Sequence, residues 1–220
     1  LWEPHAAVRE AMRLARGASE GPVVLADTQD NPGGGGNGDT VGLLRALIQA
    51  EAQNALLAHI WDPAVALAAH AAGVGATLNL GLGAKTGWAG ETPVEAGWLV
   101  EQLNNGDTRG TGAMGKGWHF KMGPCALLSC GGVRVAVISG KGQCLDQTQV
   151  RIFGVEPRSL SILALKSTVH YRADFEPLAR AFVVGSDACD HRKLAVAKVE
   201  QMVCKPDRRR AIVKTDARVT

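Results

Sequence analysis

Pro22-Val23-Val24-Leu25-Ala26-Asp27-Thr28-Gln29-Asp30-Asn31-Pro32-Gly33-Gly34-Gly35-Gly36-Asn37-Gly38-Asp39 is the stretch that decides the fold. Its first six residues are an apolar run closed by an acid, the pattern of a strand buried on both faces of a parallel sheet. A glycine-rich loop follows over residues 28–38. Beyond it Val41, Leu44, Leu47 and Ile48 recur at helical spacing, which predicts a helix to about Ala52 with Asp39 as its N-cap. Residues 54–61 read as the next strand. Asp62-Pro63 then supplies a cap and a proline at the first helical position, opening a helix that runs to Ala72 before Gly73.

Upstream, residues 5–16 carry Val8, Ala11, Met12 and Ala15 on one face, so a short amphipathic helix precedes the first strand. Strands alternating with helices place the chain in the α/β (α+β) class, with a small parallel α/β layer and right-handed crossovers. The middle changes character. Residues 75–82, 94–103, 117–121, 126–130 and 133–139 are short segments parted by Gly, Asn-Gly and Pro. They predict an antiparallel β insertion over about 75–140, with Asn104-Asn105-Gly106-Asp107 and Gly131-Gly132 as hairpin turns. Val94, Ala96, Trp98 and Val100 keep the period of two expected of a half-buried strand. After the insertion, 146–153 reads as helical, 160–165 as a strand, 171–181 as a helix and 181–185 as a last short strand. Residues 1–186 are thus expected as the folded domain, and 187–220 as a polar, weakly patterned tail, poorly ordered or helical in part. No internal repeat occurs.

Across 220 residues the composition is 46% hydrophobic and 20% charged, which excludes disorder, collagen-like and coiled-coil classes. The net charge of +3 is unevenly placed: from Asp187 onward there are nine Lys/Arg against five Asp/Glu, leaving the body near neutral. That argues against a nucleic-acid-binding face, and no apolar run is long enough to span a membrane. Five cysteines (Cys125, Cys130, Cys144, Cys189, Cys204), odd in number and lacking a C-x-x-C pair, read as buried or incidental thiols in a reducing, cytoplasmic compartment. No leader is visible. The chain starts at Leu1 inside an expected helix, as a piece of a longer protein would.

Gly33, Gly35 and Gly38 fit G-x-G-x-x-G, so a nucleotide phosphate is the first ligand to weigh. The loop's electrostatics oppose it: Asp27, Asp30 and Asp39 stand there without a Lys or Arg, and no Gly-Lys-Ser/Thr occurs. A metal ion, a metal-bound water or a substrate amine fits better, met by Asp30 and Asn31 at a strand's carboxyl end, with Gly33, Gly34 and Gly35 allowing close backbone approach. The bland alternative is a tight turn capped by its own aspartates. A second constellation, Lys166-Ser167-Thr168-Val169-His170-Tyr171-Arg172, also follows a strand. Lys166, Ser167, His170 and Arg172 could hold a carboxylate or supply a general acid and an oxyanion donor. Its bland alternative has His170 packed in the core and Lys166 snorkelling. No G-x-S-x-G surrounds Ser167, which sets a serine hydrolase aside. His59 and His70 read as structural, His119 lies in an expected strand, and His5 and His191 sit near the ends. Trp61, Trp88, Trp98 and Trp118 read as core and turn packing, and Arg208-Arg209-Arg210 as a solvated run. No H-E-x-x-H or clustered Cys/His spacing offers a complete metal site.

The run Gly21 to Gly35, with Gly38-Asp39-Thr40 and Leu44-Arg45-Ala46-Leu47, closely resembles the C-terminal domain of the microcystinase C (MlrC-like, M81) metallopeptidases. The resemblance continues through Asp62-Pro63, Ala72-Gly73-Val74-Gly75-Ala76 and Lys166-Ser167-x-x-His170-Tyr171-Arg172, and covers roughly residues 4–184. It implies a zinc hydrolase of two domains, in which Zn2+ is held by Asp and His ligands of a preceding N-terminal domain. This chain's expected partners are that domain and a small peptide or amide substrate, with a homo-oligomer possible and neither nucleic acid nor membrane. By the same resemblance, Asp30 and His170 are the expected catalytic residues: Asp30 would orient water or a substrate amine, and His170 with Arg172 would hold a carboxylate or the oxyanion. Asn31, Gly33, Gly34, Gly35, Lys166, Ser167 and Arg172 are expected to bind substrate, and no metal ligand is expected in the chain itself. The family usually continues with a Pro-Gly turn; here Gly185-Ser186-Asp187-Ala188-Cys189 departs from it, so nothing after Val184 carries over. A non-catalytic scaffold or dimerisation domain, and a nucleotide-binding α/β domain, remain the competing readings.

Overall fold

The computed structural model describes residues 2–17, 20–87 and 90–185. In chain order the first half contains α1 (Pro4–Ala15), β1 (Val23–Asp27), α2 (Gly42–Gln49), β2 (Ala55–Trp61), α3 (Pro63–Ala72), β3 (Thr77–Leu82) and β4 (Val94–Asn104). The second half contains β5 (Asp107–Arg109), β6 (His119–Lys121), β7 (Cys125–Cys130), β8 (Val133–Ile138), α4 (Thr148–Arg151), β9 (Ile162–Lys166), α5 (Arg172–Phe175) and β10 (Ala181–Gly185). The expected tail, Trp88, Cys189, Cys204, His191 and the Arg208–Arg210 run lie outside the described residues.

Eight strands form one sheet in the order β10-β1-β9-β2-β8-β7-β4-β3, and β5 pairs with β6 in a separate two-stranded ribbon. β10, β1, β9, β2 and β8 run parallel, while β7, β4 and β3 continue the same sheet antiparallel. The fold is therefore mixed α/β, with a mostly parallel sheet extended by antiparallel strands. Successive residues of β1 go to opposite sides: Val23 and Leu25 join α1, α2 and α3 in one core, and Val24 and Ala26 join Leu163, Leu165, Phe153, Tyr171 and Phe175 in the other. Burial on both faces explains why this strand reads as continuously apolar. In β4, Trp98 and Val100 are buried while Glu95, Leu99 and Glu101 are exposed, as period-two spacing requires.

Local signals held where the chemistry is local. Asp62 caps α3 by accepting from the Val65 N–H at 3.1 Å, and Gly131-Gly132 is the two-residue connection of the β7–β8 hairpin. Three expectations need correction. Asp39 does not cap α2, which begins at Gly42 after Val41 without a side-chain cap; its carboxylate instead accepts from the Lys85 and Thr86 N–H groups, each at 2.9 Å. Asn104–Asp107 does not join paired strands, because β4 pairs with β7, and the turn carries the chain out into the β5–β6 ribbon. The helix expected over 171–181 stops at Phe175 and becomes a single 3-10 turn, Glu176–Leu178, because Pro177 has no N–H to continue it.

Candidate functional site

Parallel pairing brings the two sequence constellations together. β9 lies beside β1 with Asp27 opposite Lys166, so both strands release their loops at the same carboxyl edge of the sheet. Lys166 is buried, and its Nζ lies 2.8 Å from Asp27 Oδ2, 3.2 Å from Asp30 Oδ2 and 2.8 Å from the Thr40 Oγ1 that accepts from it. The Thr40 hydroxyl in turn donates a hydrogen bond to Asp30 Oδ2 at 2.9 Å. Asp30 also accepts the Gly38 N–H at 2.7 Å and the Thr40 N–H at 2.9 Å. Burial by itself would raise the Asp30 pKa; the Lys166 charge and these donors outweigh it and hold the carboxyl below its ordinary range. Asp30 is only 4% exposed, with both oxygens engaged inside the chain. Its place is beneath the loop, as the anchor that folds residues 30–40 around one carboxylate.

Above that anchor the loop is tied to its neighbours. Asn31 accepts the Gly33 N–H through Oδ1 at 2.9 Å and donates from Nδ2 to Thr168 Oγ1 at 2.9 Å, joining the two constellations directly. Gly36 has no room for a side chain: a Cβ there would stand 2.8 Å from Asn31 N and 2.9 Å from Asn31 O. Gly34 would meet only the Asn31 side chain at 3.5 Å. Gly36→Ala should therefore cost about 1–3 kcal/mol, and Gly34→Ala less than about 0.5 kcal/mol, by urea unfolding of the chain. Equal losses in both variants would refute backbone crowding at Gly36.

A third segment reaches the site from beyond β8, and sequence reasoning missed it. Gln143 donates to Ser167 Oγ at 2.5 Å, and its Oε1 lies 3.2 Å from His170 Nδ1. The Gly33 Cα is so close to that amide that a Cβ would collide with Oε1. No local signal marked it: the sequence places 133–139 within the antiparallel insertion, and only the parallel pairing of β8 with β2 brings 139–147 to the same edge as the other two loops. Ser167 is fully buried under Gln143, whereas His170 is exposed rather than packed in the core. Arg172 is turned elsewhere, its guanidinium 5.6 Å from the Phe182 ring centre. Asn31, the glycines, Lys166, Ser167 and His170 are thus gathered into one region, and Arg172 faces the core wall behind it.

Beside His170 a groove of about 400 Å³ opens between residues 141–149 and the β5–β6 ribbon. Trp118, expected as packing, stands 52% exposed on its wall. The remaining aromatic and thiol readings are structural. Trp98 is fully buried, Cys125 and Cys144 are buried free thiols, and burial pushes the Cys125 thiol up to about 12.

No group of three or more His, Cys, Asp or Glu side chains among the described residues is placed to hold a metal. The chemistry of the nearby acids agrees: Asp30, Asp39 and Asp62 are spent on backbone N–H groups, and Asp62 also on Lys85 at 2.9 Å. These residues do not fit a zinc site. Among the described residues no helix is long and apolar enough to cross a membrane.

Fold and site define a mixed α/β domain that gathers its polar groups at the carboxyl edge of a mostly parallel sheet. The chain belongs to the family described as MlrC C-terminus, which matches residues 25–188. It is 30% identical over 172 residues to microcystinase C of Sphingomonas sp., covering 78% of this chain and 33% of that protein. The crystal structure of an assigned metallopeptidase from Mesorhizobium sp. BNC1 superposes with a TM-score of 0.71 at 24% identity, covering 81% of this chain and 35% of the other. The chain therefore spans about a third of the length of these relatives.

Proposed function

We propose that this chain is the C-terminal domain of a zinc-dependent metallopeptidase or amidohydrolase, and that it supplies the wall that holds a peptide substrate against a metal centre carried by an N-terminal partner domain. One observation carries the reading. The Asn31–Thr168, Gln143–Ser167 and Gln143–His170 contacts lace three strand-end loops into one rim that leaves the His170 ring exposed. The family match and the relatives, three times as long, support the existence of a facing domain. Zinc, when bound there, would supply the electrophile and the activated water.

This chain's own residues then position and bind. Asp30 acts through the loop, fixing Gly33 to Gly36 so that their backbone can approach an extended substrate. Lys166 and Ser167 act beneath the surface, Lys166 by neutralising Asp27 and Asp30, and Ser167 by orienting Gln143. His170 is the group that can touch substrate: with Nδ1–H turned to the Gln143 Oε1 acceptor, the imidazolium form can donate from Nε2 to a carboxylate or the developing oxyanion. In the intact protein, His170→Ala should lower turnover of linear peptides at least about tenfold, and Gln143→Ala about threefold to tenfold, as loss of one hydrogen bond costs about 0.5–1.5 kcal/mol. Full turnover in both variants would remove this rim from the active site.

A further inference from the structure

We propose that the groove beside His170 binds an extended peptide by strand addition to the outer edge of β6, with an apolar side chain seated against Trp118. That the ligand is a peptide rests on the hydrolase reading above; the mode of binding rests on the ribbon itself.

The pairing of the ribbon fixes which backbone groups are free to pair. Gly110 N–H donates to Trp118 O, and Met122 N–H donates to Gly106 O, each at 2.9 Å. Bonded pairs alternate along an antiparallel ladder, so Thr108 and Phe120 between them are a bonded pair, while His119 and Lys121 belong to the intervening non-bonded pairs. The N–H and C=O of His119 and the N–H of Lys121 are therefore directed away from β5. They lie along the outer edge of what is, among the described residues, a two-stranded sheet, while the Lys121 carbonyl lies against Gly140. An exposed edge of this kind is a template for an incoming extended chain. The edge ends where Gly140 N–H takes the Met122 carbonyl at 2.6 Å, next to the segment that carries Gln143.

The groove has the size and chemistry for such a ligand. Its roughly 400 Å³ falls within the range of ligand sites. Met114, Trp118, Phe120 and Met122 give it an apolar wall, with Gln143 and His170 at the polar end. The Trp118 and Phe120 rings sit 6.4 Å apart, tilted by 58°. Lys121 and Lys141 border the groove and none of its lining residues is acidic, which favours a peptide bearing negative charge. The wall is also preformed. Asp146, buried at 1% exposure, accepts the Thr111 N–H at 2.9 Å and the Gly112 N–H at 2.8 Å, and its other oxygen holds the Thr148 N–H and hydroxyl. With the loop that joins β5 to β6 held in this way, less ordering is needed when a peptide binds.

The test titrates the ¹⁵N-labelled 220-residue chain with acetyl-Ala-Phe-Ala-Ala carrying a free carboxylate. Expected are saturable shifts of the Trp118 indole and of the His119 and Lys121 amides, with slower hydrogen exchange at those two amides. The same peptide N-methylated at alternate residues should bind at least about tenfold more weakly, as should Trp118→Ala. No saturable shift up to about 10 mM would overturn the site. Equal affinity of the N-methylated peptide would overturn strand addition, whatever Trp118→Ala does to the ribbon. Binding is read here without turnover, so a chain that binds as described inside an intact protein that cleaves no peptide sinks the hydrolase reading and leaves the groove standing.

Discussion

Lys166→Met is expected to destabilise the chain by about 3–5 kcal/mol, a large share of the roughly 5–15 kcal/mol that holds a typical domain folded. The ammonium is buried between Asp27 and Asp30 and also donates to Thr40. Removing it leaves two buried carboxylates side by side without the cation that neutralises them. The penalty is that of uncompensated buried charge and exceeds what the pair contributes relative to an apolar substitute. Urea unfolding of Lys166→Met and of the Asp27→Asn, Lys166→Met double variant separates the two. The double variant should recover at least about 1 kcal/mol, because the amide can still accept the Gln29 and Asp30 N–H groups that reach Asp27 Oδ1. A single variant within about 0.5 kcal/mol of the parent would show that the charge network does not hold the loop.

The second large effect is a loss of stability on mild acidification, and it comes from His59. This ring is buried in β2, with Nε2 3.2 Å from the Gln149 carbonyl and Nδ1 without a partner among the described residues. Burial lowers its pKa from 6.5 to about 4, because the charged ring would carry a second donor with nothing to accept it. Above pH 6.5 the ring is neutral in both states and the full stability is present. Between pH 6.5 and about 4 only the unfolded chain takes up the proton, so stability falls as pH falls. The total is about 3 kcal/mol at pH 4. Asp30, with its lowered pKa, adds a further loss only as the pH drops through the carboxylate range. His59→Leu should be less stable at pH 7, having lost the Gln149 contact, yet nearly flat from pH 6.5 to 4.5. An unchanged slope in that variant would assign the acid sensitivity to other groups.

Much of the frame was legible from neighbouring residues. The apolar run before Asp27, the Asp62-Pro63 helix start and the Gly131-Gly132 hairpin are each settled within a few positions of the chain, by periodicity and turn geometry. Where the local signal was ambiguous, tertiary contact decided. Asp39 is a good cap by composition, but the loop at residues 84–86 offers it three donors and draws it away from α2. Trp118 reads as packing because tryptophan usually is; its place on a two-stranded ribbon leaves it no core to enter.

The same division runs through the site. By itself the sequence determined that two polar loops leave the carboxyl ends of buried strands, since hydrophobic patterning and glycine placement act over short range. Only the tertiary structure decided that β9 lies between β1 and β2, and so that Lys166 meets Asp27 across 139 positions and Gln143 reaches Ser167 and His170. Strand order and charge neutralisation depend on the packing of the whole sheet, where each pairing is chosen against every other, and no local window carries that information.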